Sequence, residues 1–178
     1  MKKIVVFGGS NSSQSINKKL AIYAANQLDK VEIEVLDLNN YELPIFGVDL
    51  EKERGIPQAT LDFLEKLHDS DGFVISLAEH NGAYTAAFKN LMDWASRVDG
   101  KLWGQKPMLL LATSPGRRGA MAVLQIASNR FPYMGGNIID TFSLPSFNEN
   151  FQDGELVHED FRNELNSKIR TFEKTLFN

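Results

Sequence analysis

There is no cysteine anywhere in the 178 residues. Disulfides, thiolate metal sites, cysteine-ligated iron–sulfur clusters and cysteine nucleophiles are therefore excluded. Histidine is nearly as scarce, with only His68, His80 and His158. No cluster of His or carboxylates at metal-ligand spacing is visible, so no metal is expected. No apolar run approaches the ~20 residues of a membrane span, and the run behind Met1-Lys2-Lys3 is too short for a signal peptide. A cytoplasmic protein with no membrane association is the expectation. Positive charge is not in excess either. Lys and Arg number 19 against 23 Asp and Glu, a net charge of −4, which speaks against a nucleic-acid partner, whose phosphates call for a basic face. With no repeat, low-complexity tract or linker in view, residues 1–178 are expected to form a single domain.

What is present is alternation. Apolar runs of strand length, Ile4-Val5-Val6-Phe7, Val31 to Leu36, Gly72 to Leu77, Met108 to Thr113 and Asn137 to Phe142, are each followed by apolar residues at helical spacing. The helices are predicted near Ile16–Leu28, after Pro57 (Leu61, Leu64, Leu67), over Ala87–Val98, over Ala122–Phe131 and over Phe161–Leu176. Pro57 suits a helix N1 position. The central runs are almost wholly apolar, as in parallel strands covered on both faces. Five strands alternating with helices predict an α/β fold, a doubly wound parallel sheet of order 2-1-3-4-5 with helices on both faces.

In such a sheet, ligands bind beyond the carboxyl ends of the strands, where strand order reverses. The first such loop, Gly8-Gly9-Ser10-Asn11-Ser12-Ser13-Gln14-Ser15-Ile16-Asn17, joins glycines, hydroxyls and a helix N-terminus. Free N–H groups and the positive end of the helix dipole make such a place an anion site, and Ser10, Ser12, Ser13, Ser15 and Asn17 add side-chain donors around one phosphate. Ala78-Glu79-His80-Asn81-Gly82 and Ser114-Pro115-Gly116-Arg117-Arg118-Gly119 open from the third and fourth strands. A phosphate in the first loop and a planar group along the other two describe a mononucleotide, FMN first among them. The competing motifs are absent: there is no G-x-x-x-x-G-K-[ST], no G-x-G-x-x-G in the first turn and no G-x-S-x-G around a serine.

At these residues the chain resembles the NADPH-dependent FMN reductase family of flavodoxin-like proteins, which includes quinone, chromate and azo-dye reductases. Gly9-Ser10, Ser15-Ile16-Asn17 and Leu20-Ala21 are similar to its phosphate loop. Glu79-His80-Asn81 with Lys89-Asn90, Asp93-Trp94 and Ser96-Arg97 is similar to its P-E-Y-N…K-N…D-W-x-S-R segment, and Ser114-Pro115-Gly116 with Gly119 to its third flavin loop. The likeness extends over most of the chain and weakens past about Phe142. Where the family commonly has Arg in the first loop, this chain has Ser12. Ala78 and His80 stand for Pro and Tyr, and Thr85-Ala86 for Pro-Gly.

The resemblance implies a flavodoxin-like FMN-binding domain that takes two electrons from NADPH or NADH and passes them, by a ping-pong mechanism, to a small acceptor. Quinone, flavin, nitro or azo compound and metal oxyanion are the acceptor classes it suggests. The expected cofactor contacts are Ser10, Ser15, Ile16 and Asn17 at the phosphate, and Glu79, His80, Asn81, Gly82, Ser114, Pro115, Gly116 and Gly119 around the ring system. No side chain is expected to be catalytic, because the flavin carries hydride itself. A homodimer or homotetramer is implied, with the Tyr41–Pro57 connection and the helix after Gly82 as the candidate interface. Lys89 and Asp93 are expected to pair along their helix, Trp94 and Trp103 to pack, and Arg117 and Arg118 to be solvated or to meet a nicotinamide 2′-phosphate. The alternative from another class is an FMN-binding electron carrier or redox sensor acting on a protein partner. A second is a fold relative that has lost its flavin.

Overall fold

The computed structural model describes all residues, 1–178. Its centre is a five-stranded parallel sheet of β1 (Lys2–Gly8), β2 (Val31–Val35), β3 (Gly72–Leu77), β4 (Pro107–Thr113) and β5 (Asn137–Leu144), in the order β2-β1-β3-β4-β5. That is the doubly wound order predicted from the alternation. β1 and β3 are neighbours with Val6 opposite Val74 and Gly8 opposite Ser76, so the order reverses between them.

Side-chain alternation along the strands splits the interior into two cores. Val5, Phe7, Phe73 and Ile75 face α3 (Gln58–His68), α4 (Ala86–Val98) and α5 (Met121–Arg130). Ile4, Val6, Val74 and Leu109 face α1 (Ile16–Ala25) and α7 (Glu159–Phe177). Every residue of β3 is buried, which is why its sequence carries no polar alternation. Trp94 and Trp103 are fully buried, and Trp103 packs edge-on against Phe73 with ring centroids 5.4 Å apart. The Lys89 ammonium lies 2.7 Å from the Asp93 carboxylate, the expected i,i+4 pair.

Several boundaries differ from those predicted. The Asp37–Pro57 connection contains a 3-10 turn at Leu38–Asn40 and a helix, α2 (Val48–Arg54). No residue of α2 is buried, so it lacks the apolar stripe on which a periodicity reading depends. Pro57 occupies the N-cap of α3 (φ −63°, ψ 142°) instead of N1; its extended ψ ends the connection, and the helix begins one residue later. A short helix, α6 (Phe147–Asn150), and a two-residue hairpin, Phe151–Gln152 with Glu155–Leu156, precede α7. Another hairpin, Glu79–His80 with Ala83–Tyr84, separates β3 from α4. No helix is long and apolar enough to cross a membrane.

Candidate active site

The carboxyl ends of β1, β3 and β4 open into one cleft of about 230 Å³. Ser10, Ser12, Ser15, Ile16 and Asn17 border it from the first loop, Ala78, Glu79 and His80 from the second, and Thr113, Ser114 and Pro115 from the third. The three loops singled out in the sequence thus converge. A wider groove of about 640 Å³ adjoins at Asn11 and runs between the Leu38–Phe46 segment and α4.

The first loop is built for a helix start. Ser15 is the N-cap of α1, its Oγ accepting from the Lys18 N–H at 3.1 Å. The N–H groups of Ile16 and Asn17, in the first turn, have no partner in the chain. Such orphan donors at the positive end of a helix are where an anion is held. Gly8 allows the helix to come this close: a Cβ there would lie 2.5 Å from the Lys18 N. Ser10 Oγ accepts from Ser12 N–H (3.1 Å) and Ser12 Oγ from Gln14 N–H (3.2 Å), which leaves both hydroxyl hydrogens free. No carboxylate belongs to the loop, and the lysine in the first turn of α1 is committed elsewhere. The Lys18 ammonium sits 2.6 Å from Asp37 and holds that carboxyl below its usual range, with the Asn39 N–H assisting.

Asn17 has a different place from the one its sequence context suggested. It is 2% exposed. Its Nδ2 donates to the Thr113 carbonyl (3.0 Å), and its Oδ1 accepts from the Thr113 N–H (3.0 Å) and the Ser76 hydroxyl (2.7 Å). The side chain therefore ties α1 to the ends of β3 and β4, and the group that Asn17 offers the cleft is its backbone N–H.

In the second loop, Asn81 (φ 54°) and Gly82 (φ 75°) form the two-residue turn of the hairpin. The Asn-Gly pair was the available signal, since both positions of such a turn need positive φ; the segment read only as a polar loop. Asn81 and Gly82 sit at the exposed tip, outside the cleft lining. The Glu79 carboxylate turns away from the phosphate loop and accepts from the Val123 N–H at 3.0 Å. It thereby caps α5, whose N-cap residue Ala120 (φ 59°) offers no side-chain acceptor. Tyr84 stacks on Phe131 (6.4 Å between centroids, 8° between planes). Burial pushes its hydroxyl pKa up to about 12, and that hydroxyl has no hydrogen-bond partner.

The third loop divides. Ser114 and Pro115 line the cleft, whereas Gly116, Arg117 and Arg118 are exposed beyond it. Gly119 is buried against β5, where its carbonyl accepts from Ser143 Oγ at 2.8 Å and a Cβ would collide with Ser143. Its role is packing between the loop and the strand. Residues to which the sequence reading gave no part in the site are Ser76, Thr85 and Thr113, all at most 1% exposed. The signal for Ser76 was a lone hydroxyl inside an otherwise apolar strand, which when buried must find a partner.

An open doubly wound sheet with free N–H and hydroxyl donors at its first loop, and two further loops at the switch point, is the arrangement in which α/β proteins of this class bind their ligands. The family model described as NADPH-dependent FMN reductase matches residues 2–149, and the chain belongs to that family. With membership come the oxidoreductase class, FMN as cofactor and a nicotinamide nucleotide as electron donor. Over 119 residues the chain is 33% identical to a 2-hydroxy-1,4-benzoquinone reductase from a Burkholderia species, covering 66% of this chain and 63% of that protein. It is 25% identical over 171 residues to a quinone reductase of Escherichia coli strain K12, covering 88% of each. The structure of FerB, a flavoenzyme NAD(P)H:(acceptor) oxidoreductase from Paracoccus denitrificans, superposes with a TM-score of 0.82 at 24% identity, over 99% of this chain and 98% of that one. At that identity the likeness is one of fold.

Proposed function

We propose that this protein is a single-domain, cytoplasmic NAD(P)H-dependent reductase of small quinone-like acceptors, working by a ping-pong sequence in which the oxidised nicotinamide leaves before the acceptor enters. The observation that carries the reading is the donor set at the first loop. Free N–H groups of Ile16 and Asn17 and uncommitted hydroxyl hydrogens on Ser10, Ser12 and Ser15 face a cleft without a carboxylate on that side. This set fits the phosphate of FMN, which needs several donors converging on one dianion.

Bound FMN supplies a two-electron acceptor and donor, so the protein's part is binding, orientation and electrostatics. The backbone of Ala78–His80 and of Ser114–Pro115 forms the walls that would orient the ring system. Turning Glu79 onto α5 keeps a carboxylate from opposing the phosphate. The groove beside α4 and the 86% exposed Ile45 at its edge support a homodimer or homotetramer through that face. A quinone is the favoured acceptor because two curated relatives carry that activity in their names.

The test is spectroscopic. Purified protein supplied with FMN and then, without oxygen, with NADPH or NADH should show bound-flavin bands that bleach on the donor and return on adding benzoquinone. Bands that persist with both donors would instead indicate an electron carrier. A protein that binds no FMN would refute the reading.

A further inference from the structure

The phosphate loop is fixed at both ends, and its entry is fixed by a residue outside it. Thr85, 1% exposed, stands between the hairpin and α4. Its Oγ1 donates to the Gly9 carbonyl at 2.9 Å, across 76 residues of chain, and accepts from the Phe88 N–H at 3.2 Å as the N-cap of α4. The N–H of Gly9 donates to the Ser76 carbonyl at 2.8 Å. Both polar groups of Gly9 are therefore held, one by β3 and one by the start of α4.

Peptide planarity carries that constraint forward, because orienting the Gly9 carbonyl also orients the Ser10 N–H. That N–H donates to the Gly8 carbonyl at 2.8 Å, and the serine turns follow from there: Ser10 Oγ with Ser12 N–H, then Ser12 Oγ with Gln14 N–H. Residues 11–14 are exposed and hydrogen-bond only within the loop, so between the Gly9 entry and the Ser15 cap no outside partner corrects a misdirected turn. There is little slack to absorb one. A Cβ on Gly9 would lie 3.1 Å from Leu77 Cδ2 and 3.5 Å from Phe88 Cγ.

We propose that Thr85 is a positioning residue for the cofactor's phosphate, acting through the Gly9 carbonyl to aim the serine hydroxyls of the first loop. The proposal rests on the FMN reading above. It assigns to Thr85 a role toward one part of the ligand, the phosphate, and not toward the flavin ring.

Thr85→Val keeps the shape and removes the hydroxyl, both the donor to the Gly9 carbonyl and the acceptor that caps α4. The dissociation constant for FMN should rise on the order of tenfold, while that for riboflavin, which has no phosphate, should stay within about twofold. Thr85→Ser should restore the FMN value. Loss of the α4 cap lowers thermal stability in either case; a purely structural role would weaken both flavins alike, and that result would overturn the proposal, as would unchanged FMN affinity in Thr85→Val. Should Thr85→Val fail to fold, Thr85→Pro serves instead. The native φ of −62° suits proline, and the Thr85 N–H makes no hydrogen bond that proline would lose. Wild-type protein that binds neither flavin would sink the functional reading together with this inference; wild type that binds FMN, with variants that bind it equally well, would sink this inference alone.

Discussion

The side-chain amide of Asn17 and the backbone of Thr113 exchange two hydrogen bonds of 3.0 Å each, across 96 residues of chain. The amide imitates a strand: it gives one donor and one acceptor to the last residue of β4, just where that strand runs out of ladder partners on that side. The same Oδ1 takes the Ser76 hydroxyl, so one side chain at the start of α1 gathers the ends of β3 and β4 beneath the cleft.

Asn17→Ala would leave a buried N–H, a carbonyl and a hydroxyl without partners. Since each such orphan costs roughly 1–3 kcal/mol, urea denaturation of the flavin-free protein should show a loss of about 3 kcal/mol or more. The damage should appear without any ligand, which is how it differs from loss of a phosphate contact. Unchanged stability would mean that the amide is not the junction.

Ser15 separates capping from ligand binding. Ser15→Asp preserves an N-cap acceptor and should hold stability within about 0.5 kcal/mol, whereas Ser15→Ala should cost about 1 kcal/mol. Toward FMN the order reverses. The aspartate places a negative charge against the phosphate and should abolish binding, while the alanine loses one hydrogen bond to a charged acceptor, about 1.5–3 kcal/mol. Titration of FMN fluorescence, read beside the melting temperature, tests the pair.

At Gly8 the close approach of α1 leaves no room for a side chain. Gly8→Ala puts a Cβ 2.5 Å from the Lys18 N and 2.9 Å from its Cα. Backbone atoms cannot rotate aside as a flexible side chain does, so the helix N-terminus must move. The expected outcome is a destabilisation of about 1–3 kcal/mol together with loss of FMN affinity, read in the same titration. A variant with native affinity would show that the N–H groups of Ile16 and Asn17 do not form the anion site.

The Tyr84 hydroxyl predicts a dependence on alkaline pH. Its ionisation is pushed from the ordinary value of 10 up to about 12 by burial. Between pH 10 and 12 the folded state keeps a proton that the unfolded state has released, so stability is complete below about pH 10 and falls as pH rises toward 12. Tyr84→Phe should flatten that decline. Because the hydroxyl is buried without a partner, the same change should stabilise the protein by about 1 kcal/mol at pH 7. Denaturation midpoints from pH 8 to 12 for the two proteins decide the matter.

Much of the architecture was legible in order along the chain. Strand runs such as Gly72–Leu77, and the helical spacing of Phe88, Leu91, Met92 and Ala95, announce themselves because burial on two faces or one stripe leaves a periodic mark. The convergence of the Gly9–Asn17 loop with the loops after β3 and β4 was legible too, since in a doubly wound sheet the carboxyl ends beside the switch point open on one side. α2 escaped because it buries nothing. The hairpin at Asn81-Gly82 was passed over despite its turn signal.

By itself the sequence made the parallel alternation legible, and with it the doubly wound order β2-β1-β3-β4-β5 that the structure has, because short-range pattern and chain chirality leave few other arrangements. Tertiary structure alone decided what the polar residues around the cleft do. Whether Asn17 reaches a ligand or Thr113, whether Glu79 faces the cleft or Val123, and whether Thr85 merely caps α4 or also holds Gly9, depend on partners 96, 44 and 76 residues away. A hydrogen bond is fixed by distance and direction in space, and spacing along the chain carries no record of either once the partners lie on different strands.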